Sequence, residues 1–184
     1  MQPKSRHYTR VVGITEETDA ELLLDRFRVP SIYSRLNDDE RKLRFAIQDY
    51  IISHGGPVSI SDAGKAAGID EYSAKRIARC LVEKGAVVTA AETVVKFAYP
   101  VSALPTCHVV TLADSRRFYA MCAIDALGSH FTFMQDIRID SKCHHCGESI
   151  WVQVSGGMIA AASLPTLHVL HVDLNKYENW ATST

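Results

Sequence analysis

DSRRFYAMCAIDAL, residues 114–127, follows the strand-like segment HVVTL and reads as a mostly apolar helix that carries one cysteine and one aspartate. On a helix, positions three apart share a face, so Cys122 and Asp125 are expected to project into the same space. A thiol grips soft metals; a carboxyl carries a proton. Asp125 is flanked by Ile124, Ala126 and Leu127. Burial there disfavours its charged form and moves it toward the protonated carboxyl that a general acid needs. As a metal-binding nucleophile, Cys122 is expected to titrate lower than Cys80. The bland alternative makes Cys122 a core residue with Phe118, Met121 and Ala126, leaving Asp125 at the surface beside the helix side that carries Arg116 and Arg117.

Outward from this run, the 184 residues hold one ordinary domain, or a small one plus a modest second. Hydrophobic content of 47% and charged content of 22% are those of a globular chain. A net charge of −1 gives no general pull toward nucleic acid or an anionic membrane. No apolar run is long enough to span a bilayer, and MQPKSRHYTRVVG lacks the apolar core of a secretory signal, so a cytoplasmic protein is the expectation. The five cysteines, Cys80, Cys107, Cys122, Cys143 and Cys146, then read as reduced thiols. Cys80, beside Ile77, Leu81 and Val82, reads as a small buried hydrophobe.

The expected fold class is α+β, in three parts. Residues 1–37 form an N-terminal arm with one helical piece, EETDAELLLDRF. Residues 38–103 form a winged helix-turn-helix-like module. Its first helix carries Leu43, Ala46, Ile47, Tyr50 and Ile51 at three/four spacing, is capped by Asp38 or Asp39, and stops at Gly55-Gly56-Pro57. Two more helices follow, ISDAGKAAG and EYSAKRIARCLVEKG, with Asp62 and Asp70 as candidate caps and Gly68 and Gly85 at their ends. AVVTA and TVVKFAYPV supply the hairpin. Residues 104–184 form a small mixed α/β domain with antiparallel hairpins. DIRIDS and SIWVQVS are two of its strands, MIAAASL is ambiguous, and LHVLHVDL is expected as a strand.

The run RRFYAMCAIDAL resembles the active-site segment of organomercurial (alkylmercury) lyases, and the likeness extends loosely over residues 40–180. The resemblance implies that Cys122 binds mercury as thiolate and that Asp125 relays a proton to the departing carbon. It also implies that the winged-helix-like module is part of the enzyme and that a cysteine placed like Cys143 is chiefly structural. One departure is plain. The family's second catalytic cysteine falls on a strand resembling PTLHVLH, followed here by Glu178-Asn179-Trp180, and Thr166 or Leu167 stands in its place. Family members also continue past the tryptophan, whereas this sequence ends at Thr184.

CHHCG, residues 143–147, has the C-x-x-C-G form of a zinc knuckle, with two thiols converging at a hairpin tip. It supplies two of four ligands, and Cys107, His108, His144, His145, His168 and His171 are candidates for the rest. On a strand, His168 and His171 face opposite ways, so at most one joins. Two alternatives stay open: a pair of reduced thiols in an exposed turn, and a Cys146 that swings toward Cys122 to replace the missing thiol.

The expected function is protonolysis of carbon–mercury bonds, or binding of soft metals, through Cys122 with Asp125 as proton relay. The metal ligands are Cys122, Cys143 and Cys146. No cofactor is required; Hg2+ is the product and Zn2+ the candidate structural ion. The partners are a small organometallic or metal ligand and small cellular thiols. One alternative is a non-catalytic metal-binding homologue. Another is a metal-responsive regulator that reads DNA through Lys75, Arg76 and Arg79. Residues 56–88 carry five basic and four acidic side chains, a weak footprint for phosphate.

Overall fold

A computed structural model describes residues 31–91 and 93–169 of the chain. The helical piece expected in EETDAELLLDRF, and His171 and Trp180, lie outside the described residues.

A short helix, α1 (Ile32–Arg35), leads into α2 (Asp38–His54). Neither Asp38 nor Asp39 caps α2. Asn37 does, in a reciprocal box: its Oδ1 accepts from Glu40 N (2.9 Å) and its own N–H donates to Glu40 Oε2 (2.8 Å). The aspartates lie inside the first turn, where their charge suits the helix dipole. Gly55, with φ of 69°, ends α2 in the left-handed conformation that glycine reaches without a Cβ penalty.

Strand β1 (Val58–Ser59) precedes α3 (Ile60–Ala66), whose cap is Ser59 rather than Asp62. The Ser59 hydroxyl donates to the Asp62 carboxylate (2.7 Å) and accepts from the Asp62 N–H (3.0 Å). Helix α4 (Glu71–Glu83) is capped by Asp70, as expected. The hairpin of β2 (Val87–Ala90) and β3 (Val94–Ala98) follows, and β1 pairs with β3.

After β4 (Val101–Ser102) and β5 (His108–Leu112), the chain departs from the expected helix over 114–127. It turns at Ser115, with φ of 72°, and forms strand β6 (Arg117–Ala120) against β5. Arg117 and Tyr119 are exposed while Phe118 and Ala120 are buried, the period of two that a half-covered strand imposes. Only then does α5 (Ala123–Phe133) begin, and Phe133 packs against Phe118 at 5.4 Å between ring centroids.

Strands β7 (Ile137–Lys142) and β8 (Ser149–Ser155) form the expected hairpin, and β9 (Met158–Ala162) settles the ambiguous MIAAASL as a strand. The strand expected over LHVLHVDL is not formed in its described part, because Pro165 and Thr166 make a turn and 167–169 are irregular.

The architecture is mixed α+β. One antiparallel sheet runs β1-β3-β4-β6-β5-β7-β8-β9, with β2 on the free side of β3. Its strands come from both sides of residue 103. A continuous core joins Leu43, Ile47 and Ile51 of α2 and Leu81 of α4 to Val95, Val110, Ile137 and Ile139 of the sheet. Cys80 is half-buried rather than buried.

Candidate active site

Antiparallel register brings several segments to one end of the sheet. Ala120 lies opposite His108, Val101 opposite Ala120, and Ala98 opposite Val101. Val109 lies opposite Asp140, which sets Lys142 beyond His108 at the same end. The chain therefore leaves β6 toward Cys122, leaves β3 toward Tyr99-Pro100, enters β5 from Cys107, and leaves β7 toward Cys143 at one common end. Hydrogen bonds tie these crossings together. Met121 N donates to Pro100 O (3.3 Å), and Thr106 Oγ1 donates to Ala120 O (2.6 Å).

Cys122 and Asp125 do converge, by a route different from the expected one. Cys122 is not within a helix; it is the extended cap residue of α5 (φ −145°, ψ 177°), and Asp125 is the third residue of the first turn. The Asp125 N–H donates to Cys122 Sγ (3.4 Å), and the thiol S–H donates to Asp125 Oδ2 (3.0 Å). The motif has the spacing of a capping box with sulfur in place of a serine hydroxyl. Sulfur is a weaker acceptor than oxygen. Cysteine at this position therefore caps the helix less well than a serine of the same spacing.

The expectation of a low-pKa thiol is reversed. Burial, then the Asp125 charge and the hydrogen bond to Asp125, push the Cys122 thiol up to about 12. The resting proton is on sulfur and is aimed at the carboxylate.

Three further residues, unread in the sequence as part of a site, complete the surroundings. Arg44 and Gln48 lie one turn apart on the core-facing side of α2, 4% and 0% exposed. Arg44 Nη2 and Gln48 Nε2 (2.7 Å) both donate to the Tyr99 carbonyl, and Gln48 Nε2 also reaches Ala98 O (3.2 Å). Burial depresses Arg44 to about 10, while attraction to Asp125 opposes that fall, so the guanidinium stays charged at neutral pH. The Tyr99 phenol is buried, and burial, with the charges of Asp125 and Cys122, raises its pKa and keeps it protonated. The signal in the sequence was the row Glu40, Arg44, Gln48, three polar residues at helical spacing beside the apolar row Leu43, Ile47, Ile51.

The hairpin cysteines also come together. Hydrogen bonds from the backbone of Cys146, the backbone of His145 and the Cys146 side chain hold the Cys143 thiol below its ordinary range. Cys146 is thus engaged with Cys143 in its own turn. His144, His145 and His168 are exposed, and Cys107 is exposed. His108 donates to or accepts from Ser141 Oγ (2.6 Å), with its pKa lowered by burial. Among the described residues, no group of three or more His, Cys, Asp or Glu is placed to hold a metal. Thr166 sits in an exposed turn, its carbonyl 2.7 Å from His168 Nδ1.

Residues 101–184 match the family model described as alkylmercury lyase. The likeness to that family is thus confined to the second part of the chain. The matched stretch begins at β4 and takes in both Cys122 and Asp125. No curated protein matches the chain. It is similar to a solved structure described as the mercury-bound form of MerB2, at 25% identity and a TM-score of 0.55. That similarity covers 72% of this chain and 63% of the other, so the chain spans less than two thirds of that protein's length. No helix among the described residues is long and apolar enough to cross a membrane.

Proposed function

We propose that the chain binds organomercurials through Cys122 and cleaves their carbon–mercury bond with Asp125 as the proton relay. The observation that carries this reading is the 3.0 Å hydrogen bond from the Cys122 thiol to Asp125 Oδ2. An organomercurial arriving as a small-thiolate complex exchanges that thiolate for Cys122 sulfur. The thiol proton passes to Asp125 as the sulfur–mercury bond forms. Asp125, now a carboxylic acid, protonates the mercury-bound carbon; the carbon–mercury bond breaks, hydrocarbon leaves, and the carboxylate is restored. Mercuric ion stays on Cys122 and takes up a small thiolate as second ligand. One proton thus serves both steps, and the high resting pKa of Cys122 is what keeps it available. No cofactor enters.

We read α2–α4 with β1–β3 as a winged-helix-like module that serves the enzyme, and we keep 38–103 and 104–184 as its two parts. Support comes from α2, which sends Arg44 and Gln48 to the Tyr99 turn beside Cys122. On α4, Lys75 is occupied by Glu71 at 2.7 Å, which weakens the case for a phosphate-reading face.

The test is hydrocarbon release from an arylmercury compound with excess small thiol. The parent is expected to release hydrocarbon, slowly for want of a protein thiol at Thr166 or Leu167, and introducing cysteine at either position to raise the rate. Cys122→Ser and Asp125→Ala are expected to abolish release. Turnover that survives Cys122→Ser refutes the mechanism.

A further inference from the structure

The hairpin tip between β7 and β8 carries two thiols that the lyase reaction as written does not use. Their turn is well built. Cys143 N donates to Glu148 O and Gly147 N to Cys143 O, both at 2.8 Å. Gly147 takes φ of 73°, a conformation that closes the turn and that a side chain would oppose. Cys146 is exposed and Cys143 half-buried, so the pair opens to solvent on one side.

No third ligand of the His, Cys, Asp or Glu type stands with them among the described residues. Zinc in a structural site takes four ligands in a tetrahedron. A soft ion that is satisfied by two thiolates in a line has no such need, and soft cations prefer thiolate over nitrogen or oxygen. The tip also lies at the sheet end from which Cys122 departs. β6, β5 and β7 are neighbours in that order, so the two strand ends are about 10 Å apart at the usual strand spacing.

We propose that Cys143 and Cys146 form a two-thiolate site for a linear, soft, two-coordinate cation such as Hg2+, positioned to receive the ion released at Cys122. The role as receiver rests on the lyase reading; the two-coordinate site does not. In binding, both protein thiols replace two small-thiolate ligands of the ion, and their two protons leave on the departing thiols. The pair holds the ion against free monothiols because, once one bond has formed, the second thiol acts at a high effective concentration. This site also addresses the missing cysteine at Thr166 or Leu167, since the product ion has a two-thiol destination elsewhere at the same sheet end.

The experiment uses the full reduced chain carrying Cys122→Ser, with Hg2+ supplied as its complex with millimolar 2-mercaptoethanol. Ion retained after gel filtration and the near-ultraviolet sulfur-to-mercury absorption are the readouts. One Hg2+ per chain is expected. Adding Cys143→Ser or Cys146→Ser is expected to weaken retention by at least about a hundredfold, the lower end of what chelation gives. Adding Cys107→Ser is expected to change nothing. Zn2+ offered in place of Hg2+ is expected not to be retained. Retention indifferent to both hairpin substitutions, dependence on Cys107, or equal retention of Zn2+ would each overturn the site. Because Cys122 is absent, these outcomes are independent of hydrocarbon release. The receiver role is read separately in the parent, after arylmercury cleavage at one equivalent without free thiol. Mass mapping should then find the ion on the 143–146 peptide, and finding it only on the Cys122 peptide refutes the handover.

Discussion

Replacing Asp125 by Asn should make Cys122 a faster nucleophile toward a simple alkylating agent, although it should abolish lyase chemistry. In the resting protein the thiol is pushed up to about 12 from an ordinary 9. At pH 8 that leaves about one Cys122 in ten thousand as thiolate, against about one in ten for an unperturbed thiol. Of the three causes that raise it, burial is the largest, and the other two both come from Asp125. Asn keeps the shape and an acceptor for the S–H but removes the charge that opposes the thiolate. An alkylation rate about tenfold higher is expected. The loss of an acidic residue in the first turn of α5 costs the helix about 0.5 kcal/mol, too little to unfold it. The assay is iodoacetamide labelling of parent and Asp125→Asn between pH 7 and 9, mapped by mass spectrometry, with melting curves to show that both are folded. In the parent, Cys122 should label far more slowly than exposed Cys107. An unchanged or slower Cys122 rate in Asp125→Asn would show that the carboxylate does not hold the proton on sulfur, and the shared-proton mechanism would fall with it.

Two predictions concern the framework that carries the site. Glu40 is buried; burial opposes its charge, yet Lys84 Nζ, 2.7 Å from both carboxylate oxygens, and the Asn37 N–H lower its pKa overall. A lowered folded-state pKa contributes stability that is fully present above the unfolded carboxylate range, shrinks below it, and is lost as pH falls through the lowered folded-state value. Lys84→Met should therefore lower the melting temperature more at pH 7 than at pH 4, and a deficit of equal size at both would exclude the charge pairing as its cause. At Gly64 an added Cβ meets Ala74 Cβ at 2.7 Å and the Ile69 carbonyl at 3.3 Å. Gly64→Ala should thus separate α3 from α4 and cost about 1–3 kcal/mol by denaturant unfolding, whereas an equally stable variant would mean that the α3–α4 contact yields freely.

Local patterning carried the first half of the fold. Leu43, Ile47 and Ile51 at helical spacing, Asp70 ahead of EYSAKRIARCLVE, and glycines at 55 and 85 are interactions among near neighbours, and they formed as read. At 114–127 the same reasoning went astray because FYAMCAIDAL suits a helix as well as a strand in isolation. What decided it was the unpaired edge of β5: Phe118 and Ala120 are buried by pairing with that strand and by α5 packing above them. The three-residue spacing from Cys122 to Asp125 was legible because cap and first turn bring the same residues together that a helix face brings.

By itself the sequence determined which chemistry the chain carries: a thiol and a carboxyl three residues apart, a C-x-x-C turn, and the likeness to organomercurial lyases that residues 101–184 bear out. Only the tertiary structure decided where the proton rests, because the pKa of Cys122 depends on burial and on a carboxylate whose orientation is set by the start of α5. Only it brought Arg44 and Gln48 of α2 to the Tyr99 turn, more than fifty positions on, and set Arg44 and Tyr99 within electrostatic reach of that pair. Spacing fixes what neighbours in sequence can do, but dielectric surroundings and partners across a sheet exist only once the chain has folded.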